Sequence, residues 1–341
     1  MVTETRSDSE WDAYVRGHAA ATAYHFSGWP RLIARACGHE ARLLAAEQDG
    51  RITGVLPLVL MRSRLFGRFA VSLPFLNAGG MLADDDETAA TLLAEATAVA
   101  KQARVRYLEL RHTRGQFPQL EARRHKVGMA LRLAPTADEQ WRALDRKVRN
   151  QIRKAEKSGL KAADGHVDRL EDFYRVFARN MRDLGTPVFG FRLFEEALRT
   201  FPDNTRVVCV DQGDWPVAAA IVHWRGPSIE VIWASALREA NAVCANPFLY
   251  WHLLQLAIDR GCRIFEFGRC TPGEGPFKFK QQWGAEPYPL VWEYWTPDGR
   301  PRPDDLNPRS SGFSRAANLW RHMPVSLATA MGPHIVHRIP C

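Results

Sequence analysis

ARLLAAEQDGRITGVLPLVLMR (41–62) and TRVVCVDQGDWPVAAAIVHWR (205–225) read as one object written twice. Each is an apolar run, a short polar break containing glycine, and a second apolar run. That is the signature of a β-hairpin, with the break at Asp49-Gly50 in the first copy and around Gln212-Gly213 in the second. Reading outward, each hairpin is followed by a strand-like stretch, AVSLPFLNAGG (70–80) or SIEVIWASA (228–236). A segment with helical apolar spacing comes next, TAATLLAEATAVAKQAR (88–104) or PFLYWHLLQLAIDRG (247–261). A short strand closes each copy, VRYLELRH (105–112) or CRIFEFGR (262–269), with Glu109 and Glu266 at the same position in the two. Two copies of strand, hairpin strand, strand, helix and strand predict two similar α/β units.

The expected organisation is a first domain over 1–135, a second over 136–295, and a linker and tail over 296–341. Between the repeats, LDRKVRNQIRKAEKSGLKAADG (144–165) predicts a helix with an apolar stripe of Leu144, Val148, Ile152 and Ala155. Arg146, Arg149, Arg153 and Lys157 fall on another face of it, and Ser158-Gly159 ends it. VDRLEDFYRVFARNMRDLG (167–185) predicts the next helix, stopped by Gly185 and Pro187. The region from about Thr296 opens as a linker rich in Pro, Asp and Ser. It ends in an amphipathic piece, SRAANLWRHMPVSLATAMGPHIVHRIP (314–340), broken at Pro324.

Composition narrows the class without naming an activity. With 46% hydrophobic and 25% charged residues, the 341-residue chain has the make-up of a folded globular protein and is long enough for two cores. A net charge of +8 suits a polyanionic partner such as tRNA, phosphate groups or anionic lipid, and suits plain solubility equally. The six cysteines form no CxxC pair, which points to reduced thiols. The polar start MVTETRSDSEW has no apolar core of a secretory signal, and no stretch reaches the roughly 18–20 apolar residues that span a bilayer. The expectation is a cytoplasmic protein, at most peripheral to the inner membrane.

The segment GRCTPGEGPFKFKQQWGAEP (268–287) concentrates the chemistry. Its glycines permit turns and close approach to a ligand, and it follows the carboxyl end of a strand, where α/β folds place their sites. Lys278 and Lys280 alternate with Phe277 and Phe279, so an extended segment puts both lysines on one side. A lysine held there could stabilise an oxyanion; the same pattern also describes two solvated lysines over core phenylalanines. Arg149 and Arg153 suit a phosphate-rich ligand. Asp183, Thr186 and Arg269 are further pocket candidates, as are Glu109 and Glu266. There is no HExxH, no Walker A sequence and no spaced His/Asp cluster, so no metal site is expected.

The hairpin–helix–strand order, RNQIRKAEKSG, LYWHLLQLAIDRG, MRDLGTPVFG and FEFGR…GPFKFKQQWGAEP together resemble the FemAB-like branch of the GNAT superfamily. The likeness covers about residues 20–295 and is nearest to the FemAB-related proteins associated with exosortase (PEP-CTERM) systems. It implies tandem GNAT-like domains, two mixed sheets flanked by helices, with the active site in the second. It also implies transfer of an acyl group or amino acid onto an amine or sugar-linked acceptor of an envelope polymer or exopolysaccharide. In the characterised branch aminoacyl-tRNA is the donor and a peptidoglycan precursor the acceptor. A lysine in an FK-x-x-(aromatic)-G pattern is tied there to catalysis, which maps to Lys280; Arg149, Arg153, Asp183, Thr186, Arg269 and Lys278 are then the expected substrate-binding residues. Cys270 stands where the family usually has Ser, a small-for-small exchange without a neighbouring base. The (R/Q)-x-x-G-x-G/A loop that holds acetyl-CoA in ordinary GNAT enzymes is absent from both halves. No tightly bound cofactor is expected; the donor is aminoacyl-tRNA or acyl-CoA. The alternatives are an acyl-CoA-dependent N-acyltransferase and a non-catalytic scaffold in exopolysaccharide assembly, the latter with membrane contact through the tail.

Overall fold

A computed structural model describes residues 2–4, 7–63, 66–301 and 311–339, with 311–314 described for the backbone alone. The linker beyond residue 301 and Cys341 lie outside the described residues. The chain divides into two compact units: 1–125 with 289–308 and 334–341, and 126–288 with 309–333.

The first unit begins with β1 (Val2–Glu4), α1 (Asp8–Gly17) and α2 (Gly28–Cys37). The expected hairpin follows as β2 (Glu40–Gln48) and β3 (Arg51–Ser63), turning at Asp49-Gly50 with both residues at positive φ. The third strand, β4 (Gly67–Val71), is shorter than the apolar stretch suggested, because the chain leaves the sheet at Ser72. After the short β5 (Leu82–Ala83) comes α3 (Asp86–Gln102), capped by Asp85, whose carboxylate accepts the Thr88 N–H at 2.7 Å. The strands β6 (Leu108–His112) and β7 (Glu121–Arg123) close this stretch of chain.

The second unit opens with β8 (Val127–Arg132), α4 (Ala137–Ala143), α5 (Arg146–Lys157) and β9 (Leu160–Gly165). Two helices, α6 (Leu170–Leu184) and α7 (Phe191–Thr200), lead into the second hairpin. Gly185 ends α6 at φ +77°. The hairpin is β10 (Thr205–Gln212) and β11 (Trp215–Arg225), followed by β12 (Ser228–Ala236), α8 (Ala245–Asp259) and β13 (Ile264–Cys270). Then come α9 (Gly275–Gln281) and β14 (Glu286–Pro289). The last strand, β15 (Val291–Trp295), returns to the first sheet, and α10 (Ser311–Arg321) and α11 (Val325–Val336) end the fold.

The two sheets repeat one design. Their strand orders are β1-β2-β3-β4-β6-β15-β7 and β14-β8-β13-β12-β11-β10-β9. In each, three antiparallel strands are followed by a helix, and the closing strand runs parallel to the third: β6 beside β4, and β13 beside β12. Each closing strand is flanked on its other side by an antiparallel strand, β15 for β6 and β8 for β13. The connecting helices bury their apolar stripes on the sheets, Leu92, Leu93, Ala96 and Ala100 from α3, and Leu249, Leu253 and Ala257 from α8.

Candidate functional site

The parallel pairing in each sheet ends at the same glutamate of the repeat. In the first sheet the last pair is Val71↔Glu109; in the second it is Glu230↔Glu266. The outcome then differs. In the first sheet β4 stops there, whereas β12 continues to Ala236 alongside β11, and β13 continues to Cys270 alongside β8. A bulge at Ile232, where Ile221↔Trp233 follows directly on Val222↔Val231, bends β12. The pairing of β13 with β8 shifts register between Glu266 and Arg269. The two parallel strands therefore part beyond Glu230 and Glu266, leaving a notch in the second sheet.

Side-chain alternation decides what faces that notch. Ile229, Val231, Phe265 and Phe267 belong to the core beneath α5 and α8, so Glu230 and Glu266 emerge on the opposite face. On β8, Met129 and Leu131 join the same core, which puts Gly128 on the glutamate face. The Tyr288 ring lies against Gly128 so closely that a Cβ at 128 would sit 2.1 Å from its Cζ. From there the phenol faces the Glu266 carboxylate and shifts its titration. The Glu266 Oε2 atom is buried without a hydrogen-bond partner. Burial raises the Glu266 pKa above the usual carboxylate value, and the Tyr288 phenol offsets part of that rise.

Lys280 closes the notch from α9. Its side chain is only 7% exposed, and Nζ donates to the carbonyls of Gly268 and Arg269, both at 2.9 Å. Burial pulls its pKa down to about 8; Cys270 and Glu230 work against that fall and Arg269 adds to it. The segment carrying Lys280 is helical, not extended as its alternation suggested. Pro276 in the first turn suits a helix start, and a run this short fits either period. The helix separates the two lysines: Lys280 is buried, while Lys278 is exposed. Phe279 and Trp283 pack on Tyr250 of α8 and anchor the helix. Cys270, beside Lys280, is a buried thiol whose pKa is raised by burial, with Lys280 and Lys126 opposing the rise.

Of the other expected site residues, Arg149, Arg153, Asp183 and Thr186 lie apart from this cluster. Arg269 joins it through its carbonyl. Arg149 and Arg153 sit on α5, on the layer opposite the glutamates; Arg149 Nε is buried without a hydrogen-bond partner, and Arg153 lies 5.4 Å from the Trp141 ring. Asp183 and Thr186, at the end of α6, are on the glutamate layer. Asp183 is 2.9 Å from Arg182 Nε, and Thr186 is exposed. Glu230, Tyr288 and Gly128 were not singled out from the sequence. Aligning the closing strands does contain a signal: Arg111 stands opposite Gly268.

That alignment separates the two halves chemically. In the first unit Glu109, 1% exposed, is met by Arg111 Nε at 2.6 Å, and the guanidinium also donates to the Leu76 carbonyl and stacks 4.2 Å from the Trp292 ring. Next to it, His112 pairs through Nδ1 with Glu293 at 2.7 Å and accepts the Met81 N–H at Nε2. These groups lock the first sheet. The second unit has glycine where the arginine stood, and its glutamate keeps an oxygen unpaired. Among the described residues no group of His, Cys, Asp and Glu is arranged to hold a metal ion, and no helix is long and apolar enough to cross a membrane.

The architecture matches known proteins across both units. The crystal structure of FemX superposes with a TM-score of 0.67 at 14% identity, over 86% of this chain and 96% of that one. This is a tandem GNAT-like fold. A tandem GNAT protein from the clavulanic acid biosynthesis pathway shares it at a TM-score of 0.53 and 14% identity, over 86% and 93% of the two chains. L-PGS from Bacillus licheniformis shares it at 0.52 and 10% identity, over 87% and 96%. The family model described as an acetyltransferase (GNAT) domain matches residues 142–288, the span of the tandem fold that holds Glu230, Glu266, Lys280 and Tyr288. No curated protein sequence matches the chain significantly.

Proposed function

We propose that the second unit transfers an acyl or aminoacyl group from an activated donor to a primary amine at the notch between β12 and β13. The observation that carries this reading is the contrast between the halves: one glutamate neutralised by Arg111, its repeat partner Glu266 left with an unpaired oxygen beside a diverging strand pair. Glu266 takes the proton as the amine nitrogen attacks the donor carbonyl carbon. Burial suits it to that role, because a carboxyl raised toward neutrality is a stronger base than an ordinary one. Tyr288 positions it. Lys280 spends two of its three N–H groups on the β13 carbonyls, and the third is available to the tetrahedral oxyanion. Collapse breaks the bond to the donor oxygen or sulfur, which leaves with the proton held by Glu266.

Of the two expected donors we favour aminoacyl-tRNA over acyl-CoA, because the exposed basic side chains of α5, among them Arg146, Arg153 and Lys157, form a row suited to a phosphate backbone. The acceptor in this FemAB-like reading is an amine or sugar-linked group of an envelope polymer or exopolysaccharide precursor. The test is transfer of labelled amino acid from a charged tRNA pool to amine acceptors, with labelled acyl-CoA run in parallel. Glu266→Gln is expected to lower transfer by about 10²-fold or more while the protein stays folded. Wild-type transfer by that variant removes the assignment of Glu266, and transfer from acyl-CoA alone replaces the donor.

A further inference from the structure

From Leu306 to Cys341 the sequence contains no Asp or Glu, while Arg309, Arg315, Arg321 and Arg338 are spread along it. Within this stretch α11 is apolar nearly all round, with no Asp, Glu, Lys or Arg and with His334 in its last turn. Such a helix normally belongs in an interior. Only one side of it is in one. Ala328 and Gly332 are buried, and Gly332 lies so close to the Val188 main chain that a Cβ would meet its N and O at 2.8 Å. On the opposite side Leu327 and Met331, 47% and 42% exposed, flank exposed Ala330 at the i, i+3, i+4 spacing of a single helical face.

The neighbouring helix repeats the arrangement. Trp320 is buried and α10 is docked on the end of α6, where a Cβ on Gly185 would meet the Ala317 carbonyl at 2.6 Å and Arg321 donates to the Leu184 carbonyl at 3.3 Å. Leu319 and Leu184 remain outside, 72% and 49% exposed. These four residues are most of the large hydrophobic side chains the protein exposes among the described residues. Arg315, Arg321 and His322 are exposed along the same hairpin.

We infer that the α10–α11 hairpin rests on an anionic bilayer surface, with Leu319, Leu327 and Met331 in the acyl boundary and its arginines among lipid phosphates. A second protein copy would fit the apolar side chains, but not a segment free of acidic residues, since a symmetric contact would bring like charges together. An anionic lipid surface suits both features, and shallow insertion of an amphipathic helix needs no membrane span.

The experiment is sedimentation of the full chain with vesicles of phosphatidylcholine alone and of phosphatidylcholine with phosphatidylglycerol, at low and raised salt. Binding to the anionic vesicles is expected, with weakening by salt and by Arg315→Glu. The Leu327→Ser/Met331→Ser double variant should reduce it by about tenfold or more, since these are surface positions whose insertion supplies the apolar part of binding. Circular dichroism melting confirms that the variant is folded. Wild-type protein that stays in the supernatant with both vesicles overturns the inference. So does undiminished binding by the double variant, or a dimer in sedimentation equilibrium that the double variant converts to monomer.

Discussion

Replacing Gly128 by alanine tests the arrangement at the notch through a single methyl group. Gly128 lies in a strand where alanine is ordinarily better by about 0.5–1 kcal/mol, because glycine loses more backbone freedom on folding. Here the added Cβ would lie 2.1 Å from Tyr288 Cζ and 2.5 Å from Cε1 and Cε2, so the ring must leave. Overfilling a packed site costs about 1–3 kcal/mol, and moving the ring also removes its effect on the buried Glu266 carboxyl. Allowing for the strand preference and some relaxation, Gly128→Ala should destabilise the protein by about 2 kcal/mol. In a Tyr288→Ala background the obstacle is gone, and the same change should be neutral or stabilising. The coupling energy of the cycle is then about 2–3 kcal/mol, read from urea titrations of the four proteins at the same transition. A second signal comes from Glu266. The Tyr288 phenol lowers the carboxyl pKa, so either single variant should move it further up, as read by carbon NMR of the carboxyl. Additivity within about 0.5 kcal/mol, with an unmoved Glu266 titration, would refute the claim that Gly128 exists to seat Tyr288.

Four further outcomes follow from the structure. Gly80→Ala should cost about 1–3 kcal/mol by thermal or urea unfolding, and His112→Ala should not rescue it, because the new Cβ also meets the Arg111 main-chain oxygen at 2.8 Å. Glu109→Gln should cost about 3–5 kcal/mol by leaving Arg111 buried without its carboxylate, and adding Arg111→Leu should restore part of the loss in the same assay. The pH dependence of transfer should be bell-shaped, rising as the Glu266 carboxyl ionises and falling above about 8 as Lys280 loses its proton. Stability runs the opposite way over this range. Lys280 titrates near 8 when folded and at the ordinary 10.5 when unfolded, so between these values the unfolded chain holds the extra proton and stability rises with pH. The gain is about 3 kcal/mol, and it should vanish from the wild-type minus Lys280→Met difference if another group is responsible.

The hairpins were legible because Asp49-Gly50 and Gln212-Gly213 sit between apolar runs, and the repeat was legible because the same order recurs twice. The α9 segment was not. FKFK alternates like a strand, and only the packing of Phe279 and Trp283 on Tyr250, together with the reach of Lys280 to two carbonyls, makes the helix the better solution. Lys280 could be named through the family resemblance, but its partners could not. Glu230 and Glu266 meet through strand register, and Tyr288 reaches them only because Gly128 has no side chain. Register and close approach are properties of the folded sheet, and a pattern along one segment does not contain them. The substitution of Gly268 for the position held by Arg111 was visible in principle, yet it gains meaning only once Glu109 is seen sealed.

The return of β15 to the first sheet has a consequence for synthesis. Trp292, which covers Arg111, and Glu293, which holds His112, both come from this strand. As the chain emerges residue by residue, β6 waits with an open edge while residues 126–288, the main part of the second unit, are made. The half that is translated first is therefore finished last, and a gene cut after residue 135 would encode a sheet lacking the strand that fastens it.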